Sequence, residues 1–196
     1  MSPAKPRTRT SAAEVRSSLI RAGRTILERD GEAGLTVRAA AAEAKVAPMG
    51  VYNHFDGRDG LLDALVTDGY AELGRAVAAT DDDPSTRLRS SGRGYRRFAT
   101  SSPVVYGLMF SARCTPDLEV AAHAFEVLVD VIRYGQVAGV VATGDPTTLA
   151  MQTWSAVHGA VSLELMGALP PNVDADTNYE NVLDFIARGL RAQPAE

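Results

Sequence analysis

Residues 36–55, TVRAAAAEAKVAPMGVYNHF, leave this chain few ways to fold. Thr36 is a good N-cap for an Ala-rich helix that ends near Ala44. Lys45-Val46-Ala47 allows only a tight break, and Pro48, at a first-turn position, opens a second short helix. That helix closes on Tyr52, Asn53, His54 and Phe55 before Asp56-Gly57 breaks it. Two short helices joined by a turn are the usual device for laying one helix in a DNA major groove. On that reading the rest of the chain positions and controls this segment.

The flanks read as helix throughout. Ser11 and Glu14 form a capping-box pair, and Leu19, Ala22, Gly23 and Ile26 follow at helical spacing until Asp30-Gly31 and Gly34. Asp59 can cap a fourth helix, 59–79, with Leu61, Leu62, Leu65, Val66 and Leu73 on one broad face. Asp81-Asp82-Asp83-Pro84-Ser85 marks the clearest internal boundary. Beyond it the pattern predicts helices at about 85–101, 103–112, 117–139, 146–168 and 177–191, several of them opened by a proline. The one strand-like run, Val137-Ala138-Gly139-Val140-Val141, reads as the end of a long helix. The expected fold is all-α, with about nine helices. A three-helix head over 11–58 leads through a connecting helix, 59–80, into a regulatory and dimerisation bundle, 81–196. Residues 1–10 read as a disordered basic tail, in which Lys5, Arg7 and Arg9 either enter a minor groove or aid solubility.

Charge supports a nucleic-acid partner only at one end. The net charge is -4, but residues 1–60 carry +3 and residues 61–196 carry -7. No apolar run approaches the ~20 residues a bilayer span needs, so no membrane partner is expected. The polar start MSPAKPRTRT argues against a secretory signal. A lone Cys114 has no internal disulfide partner, which fits a reducing cytoplasm. An enzyme finds little support. His54, His123 and His158 lack metal-ligand spacing, Cys114 has no histidine nearby in sequence, and there is no phosphate-cradling Gly loop. No catalytic residue, metal or cofactor is therefore expected.

The order T-x-R helix, V-A-P turn, V-Y-N-H-F helix and R-D-G-L-L helix start closely resembles the DNA-binding domain of the TetR family of transcriptional regulators. The likeness spans residues 14–66 and rests on Thr36, Ala41, Val46, Tyr52, His54, Phe55, Arg58 and Leu61-Leu62. Tyr95-x-x-Phe98-Ala99, Pro103-x-x-Tyr106-x-x-Met109-Phe110 and Trp154-x-x-x-His158-Gly159 resemble the WHG-type regulatory domain of one branch of that family. Lys45 and Met49 stand where the family often has Gly, and Arg58 where it often has Lys.

The resemblance implies that Tyr52 reaches a phosphate. Arg58, at a helix N-terminus, would add charge to N–H groups suited to phosphate. Lys45 would bring further positive charge near DNA. Thr36 serves as cap, phosphate contact or both, and Arg38 reads a guanine edge or holds a phosphate. Pro48 and Met49 offer apolar contact to thymine methyls, Gly50 permits close approach, and Asn53 can pair with adenine. His54 reads as a structural hydrogen-bonding residue at the same face, and Val51 and Phe55 as core.

One such module makes few base contacts, so a homodimer on a near-palindromic operator is expected. The family dimerises through its last two helices, here about 146–168 and 177–191. Leu149, Val157, Val161, Leu165, Val182, Leu183, Phe185, Ile186 and Leu190 are the apolar candidates. Met151, Trp154, His158 and Leu165 share a helix face, and with Phe98, Tyr106, Met109, Phe110 and Phe125 they form a candidate pocket for an unknown small-molecule effector. Glu164 is a further polar candidate. The expected function is a repressor released from its operator by that effector. The alternatives are a ligand-independent DNA-binding dimer with a packed regulatory domain and, remotely, a helical enzyme.

Overall fold

A computed structural model describes residues 11–192; the basic tail expected at 1–10 lies outside the described residues. Among them nine α-helices follow one another: α1 (Ala12–Gly34), α2 (Val37–Glu43), α3 (Met49–Phe55), α4 (Arg58–Val77), α5 (Pro84–Ser101), α6 (Pro103–Met109), α7 (Leu118–Val137), α8 (Pro146–Leu165) and α9 (Ala175–Gly189). The all-α expectation holds.

Local chemistry explains the ends. Ser11 and Glu14 close a complete capping box, which holds the Glu14 carboxyl below the usual carboxylate range. The Thr36 hydroxyl accepts from the Ala39 N–H at 3.1 Å. Asp83, Asp117, Asp145 and Asp174 cap α5, α7, α8 and α9. Prolines adjoin Asp83, Asp117 and Asp145 but not Asp174, and at all four helices it is the aspartate that accepts from the free N–H groups.

Three helices, α2, α7 and α8, end in one motif. Val46 N–H bonds to Ala41 C=O, Val140 N–H to Gly135 C=O, and Ala168 N–H to Leu163 C=O, each past a residue of positive φ. At α7 and α8 that residue is Gly139 (φ 72°) and Gly167 (φ 64°); at α2 it is Lys45 (φ 57°). A lysine in this conformation costs roughly 1 kcal/mol relative to glycine. Gly167 also stops α8 short of the expected residue 168.

Gly31 interrupts α1 as expected, with a non-helical φ of 68° and ψ of -172°, and helical backbone resumes only as far as Gly34. One expectation is corrected. Val140 and Val141 do not belong to α7. After Gly139 the chain turns out of the helix, and Val141 forms one antiparallel bridge with Arg191. Ala142 N–H reaches Leu190 C=O at 2.8 Å and Ala192 N–H reaches Val140 C=O at 3.2 Å. A buried Val141 wedged over Gly135 rewards that departure.

The head packs α1, α2, α3 and the start of α4 around Leu19, Ile26, Leu27, Leu35, Ala41, Val51, Phe55 and Leu61, all buried. Close approach requires glycine at Gly60, where a Cβ would lie 1.6 Å from the Phe55 carbonyl oxygen. Gly94 plays the same part where α5 crosses α4, with 1.8 Å to the Ala76 oxygen.

In the body, α4 packs against α5 and α7, and α9 lies along α5 and α8. A ladder of ions fixes α9 on α5. Arg89 pairs with Asp184, Arg93 with Glu180 at 2.7 Å, and Arg96 with Asp176 at 2.6 Å. Arg96 also reaches Glu164 of α8 at 2.8 Å. Each exposed pair contributes only about 0.2–1 kcal/mol, so the ladder sets register more than stability. The Tyr179 hydroxyl donates to Gly92 C=O at 2.6 Å beneath it.

Candidate nucleic-acid interface and regulatory cavity

The exposed face of α3 carries the nucleic-acid candidates. Met49 is 64% and Tyr52 54% exposed, and Asn53 is exposed beside them. Leaving a large apolar and an aromatic side chain in water on a seven-residue helix forgoes burial worth roughly 1.5–3 kcal/mol each, unless a partner covers them. Val51 and Phe55, on the opposite side, are buried as expected. Around this face Arg38, Lys45 and Pro48 are exposed, and neither Arg38 nor Lys45 enters an ion pair among the described residues.

Other expected residues take different positions. Gly50 faces inward: its missing Cβ would meet Val46 at 3.6 Å and Val15 at 3.9 Å. His54 is half-buried with its ring 6.2 Å from that of Phe55. Thr36 is exposed while capping α2. Arg58 is already committed. It donates to Leu35 C=O at 3.0 Å, to Asp59 at 2.8 Å and to Glu32 at 3.1 Å, and the Asp59 and Glu32 carboxylates raise its pKa above the ordinary arginine value. It ties the end of α1 to the start of α4 before any phosphate arrives.

Glu32 is the hub of that tie. Its second oxygen takes Arg113, from the α6–α7 connection, at 2.6 Å. Arg24 of α1 reaches Asp68 at 3.2 Å and Glu72 at 2.6 Å on α4. The α6–α7 connection is pinned to α4 as well, with Thr115 N–H on Asp63 and Asp117 N–H on Thr67. Head and body therefore meet through α4 and through a set of ion pairs.

The body holds a cavity of about 240 Å³. Tyr70, Leu73 and Val77 of α4 form one wall, and Ala121, Ala124, Phe125 and Leu128 of α7 another. Tyr95, Phe110 and Trp154 complete it. Of the residues expected there, Phe110, Phe125 and Trp154 line the space. Phe98, Tyr106 and Met109 are buried in the adjoining core instead. His158 sits behind Trp154, with ring centroids 5.7 Å apart, one helical turn on. Met151 does not line the cavity: it lies 45% exposed on the outer face of α8, as does Leu165 at the helix end.

A polar cluster backs the wall. Trp154 Nε1 donates to the Tyr95 hydroxyl at 3.2 Å. The His158 Nδ1 lies 2.8 Å from the Tyr95 hydroxyl and 2.9 Å from that of Tyr106, and the two hydroxyls are 3.1 Å apart. One ring nitrogen can serve only one of them, so the other hydroxyl pairs with its neighbour. Burial keeps this cluster neutral, lowering the His158 pKa and raising those of Tyr95 and Tyr106. Tyr70 donates to the Met109 carbonyl at 2.7 Å, joining the cavity wall to the last residue of α6.

Sequence reasoning missed the contribution of α4 and, apart from Phe125, that of α7. Residues 70, 73 and 77, like 121, 124 and 128, recur at helical spacing, which reads as core. Periodicity identifies an inward face and says nothing of whether that face meets atoms or space.

Two family models match the chain. Residues 19–65 match the family model described as bacterial regulatory proteins, tetR family. Residues 88–186 match a model described as tetracyclin repressor-like, C-terminal domain. The HTH-type transcriptional regulator Rv1816 of Mycobacterium tuberculosis is 25% identical, across 96% of this chain and 95% of its own length. A second regulator of that organism, the uncharacterized HTH-type transcriptional regulator Rv0681, is 26% identical over 89% of this chain and 81% of its own. Among solved structures, a protein of unknown function from Rhodococcus sp. RHA1 superposes with a TM-score of 0.79 at 25% identity, covering 96% of this chain and all of the other. A TetR-family regulator from Pectobacterium atrosepticum gives 0.73 at 23% identity with the same coverage, a likeness of fold.

Proposed function

The chain belongs to the TetR family of DNA-binding transcriptional regulators, and from that premise we propose that it is a repressor which leaves a near-palindromic operator when a small molecule enters its cavity. The family and the relatives are regulators, not enzymes. The observation that carries the DNA half is the exposed Met49, Tyr52 and Asn53 on α3 beside Arg38 and Lys45, which enter no ion pair among the described residues. In this reading α3 enters the major groove, Asn53 and Met49 meet base edges, and Tyr52 and Lys45 meet phosphates. Arg38 reads a guanine or holds a phosphate, Pro48 adds apolar contact, and Thr36 lies at the groove edge. Gly50, His54 and Arg58 support the interface from behind. The proposed divisions are a head at 11–58, a connecting helix at 59–80 and a regulatory domain at 81–196. The working compartment is the cytoplasm; among the described residues no helix is long and apolar enough to cross a membrane.

A homodimer would join α8 and α9 to their copies. Val157, Val161, Leu183, Ile186 and Leu190 are already buried within one chain, so they cannot form the contact as expected from sequence. The surface left for it is Met151, Ser155, Gly159 and Leu163 along α8, with Phe185, 67% exposed, on α9. Small residues at the middle of that stripe suit close helix packing.

The cavity beside Trp154 argues against a fully packed regulatory domain. Ligand release then follows as a population shift, by no more than the ligand's differential affinity for the two head spacings. The test is footprinting on the DNA upstream of the chain's own coding sequence. A protected two-fold site, lost with Tyr52→Ala and shifted in sequence preference by Asn53→Ala, is the expected result. Protection unchanged by either variant would refute the α3 interface.

A further inference from the structure

We propose that the cavity takes an uncharged, largely apolar ring compound of about the size of two fused aromatic rings, with one hydroxyl-type donor as its polar group. This rests on the effector-binding reading above and gives that reading a chemical class.

None of the ten lining residues is charged. Five are aromatic and five are aliphatic. Arg75 and Glu119 line a more open groove between α4 and α7 that shares only Tyr70 with the cavity, and Arg89 lines a small pocket beyond Val77, Tyr95 and Leu128; none of the three lines the cavity itself. A carboxylate or ammonium entering the cavity would lose its hydration and gain no counter-charge. Rings can attract a cation through their faces. Here the lining rings pack on one another instead: Tyr70 stands edge to face on Phe110 at 81° and 6.1 Å, and Phe125 is tilted against Trp154 at 59° and 6.1 Å. They do not form a box of open faces.

Size and polarity follow from the same walls. An apolar cavity of about 150 Å³ accepts benzene, so about 240 Å³ accommodates a second ring. The donors of the wall are engaged inside the protein. Tyr70 gives its proton to the Met109 carbonyl, and Trp154 gives its N–H to Tyr95. What remains at Tyr70 is an oxygen that can only accept. A ligand that bonds there must donate, and it does so at the residue that holds the end of α6.

The probes are 2-naphthol, naphthalene-2-carboxylate and 2-naphthyltrimethylammonium, titrated calorimetrically into the full chain at pH 7. 2-Naphthol should bind once per chain and at least tenfold more tightly than either ion. Tyr70→Phe should weaken it severalfold, and Ala121→Phe, which fills the cavity, should abolish it. The single indole N–H, that of Trp154, gives one NMR signal, and in the unaltered chain it should shift on binding. An ion that binds as tightly as the naphthol overturns the uncharged class while the cavity remains an effector site. Naphthol binding that moves neither the indole signal nor with Ala121→Phe overturns the assignment to this cavity. Binding of none of the three overturns the effector reading with it.

Discussion

In the head, the two aromatic residues of α3 part ways: Phe55 is buried under α1, while Tyr52 stands 54% exposed. In the body, five aromatic residues turn inward and still leave a cavity of about 240 Å³ among them. The head is closed inside and unfinished outside; the body is unfinished inside. On the proposed function the difference divides the tasks. A reading surface must keep its shape to within an ångström or so, and close packing supplies that. An input site must hold space that something else can fill.

The sharpest way to break this contrast is to add volume on both sides. Gly60→Val drives side-chain atoms onto the Phe55 carbonyl and should cost the head about 3 kcal/mol in urea unfolding, with DNA binding lost. Ala121→Phe adds volume to the hollow and should instead stabilise the chain by about 1 kcal/mol. If both variants destabilise equally, the cavity is not space available to a ligand.

Lys45→Gly separates stability from reading within the head. Relief of the left-handed lysine should stabilise by about 0.5 kcal/mol, after allowing for the greater freedom of glycine in the unfolded chain. Loss of a phosphate contact should reduce the salt slope of DNA binding by about 0.9. An unchanged slope would place Lys45 away from the backbone.

The smallest effect lies in the body and depends on pH. Burial lowers the His158 pKa in the folded chain from 6.5. As pH falls below about 6.5 the unfolded chain takes up the proton first, so the stability present above that value is lost toward the lower folded value. His158→Gln should flatten thermal stability between pH 7 and 5. A slope that survives the substitution has another source.

Much of the head was legible because its signals are local. Ser11 with Glu14, Thr36, and Asp56-Gly57 act within a turn of their own residues, and the structure uses each as read. Arg58 was harder. Its place at a helix start suggested phosphate, while Glu32, its partner, lies 26 residues away and only the fold brings it near. The cavity failed in part for the same reason. Trp154 and Phe125 were readable as aromatic, but Tyr70 and Ala124 carry no mark that separates a lining residue from a packed one. Met151 shared a face with Trp154 on a helical wheel, yet a few tens of degrees of rotation put it in solvent.

Glu32, held by Arg58 on one oxygen and Arg113 on the other, bears on how any binding curve of this protein is interpreted. Salt releases counterions from DNA, and the slope of affinity against salt is commonly taken as a count of phosphates. The same salt screens the half-exposed carboxylate that joins reading head to sensing body. On the proposed function, its loosening lets the head sample spacings that do not fit an operator. The measured slope therefore adds a conformational contribution to the phosphate count, and Glu32→Gln, which touches no DNA, should make it shallower.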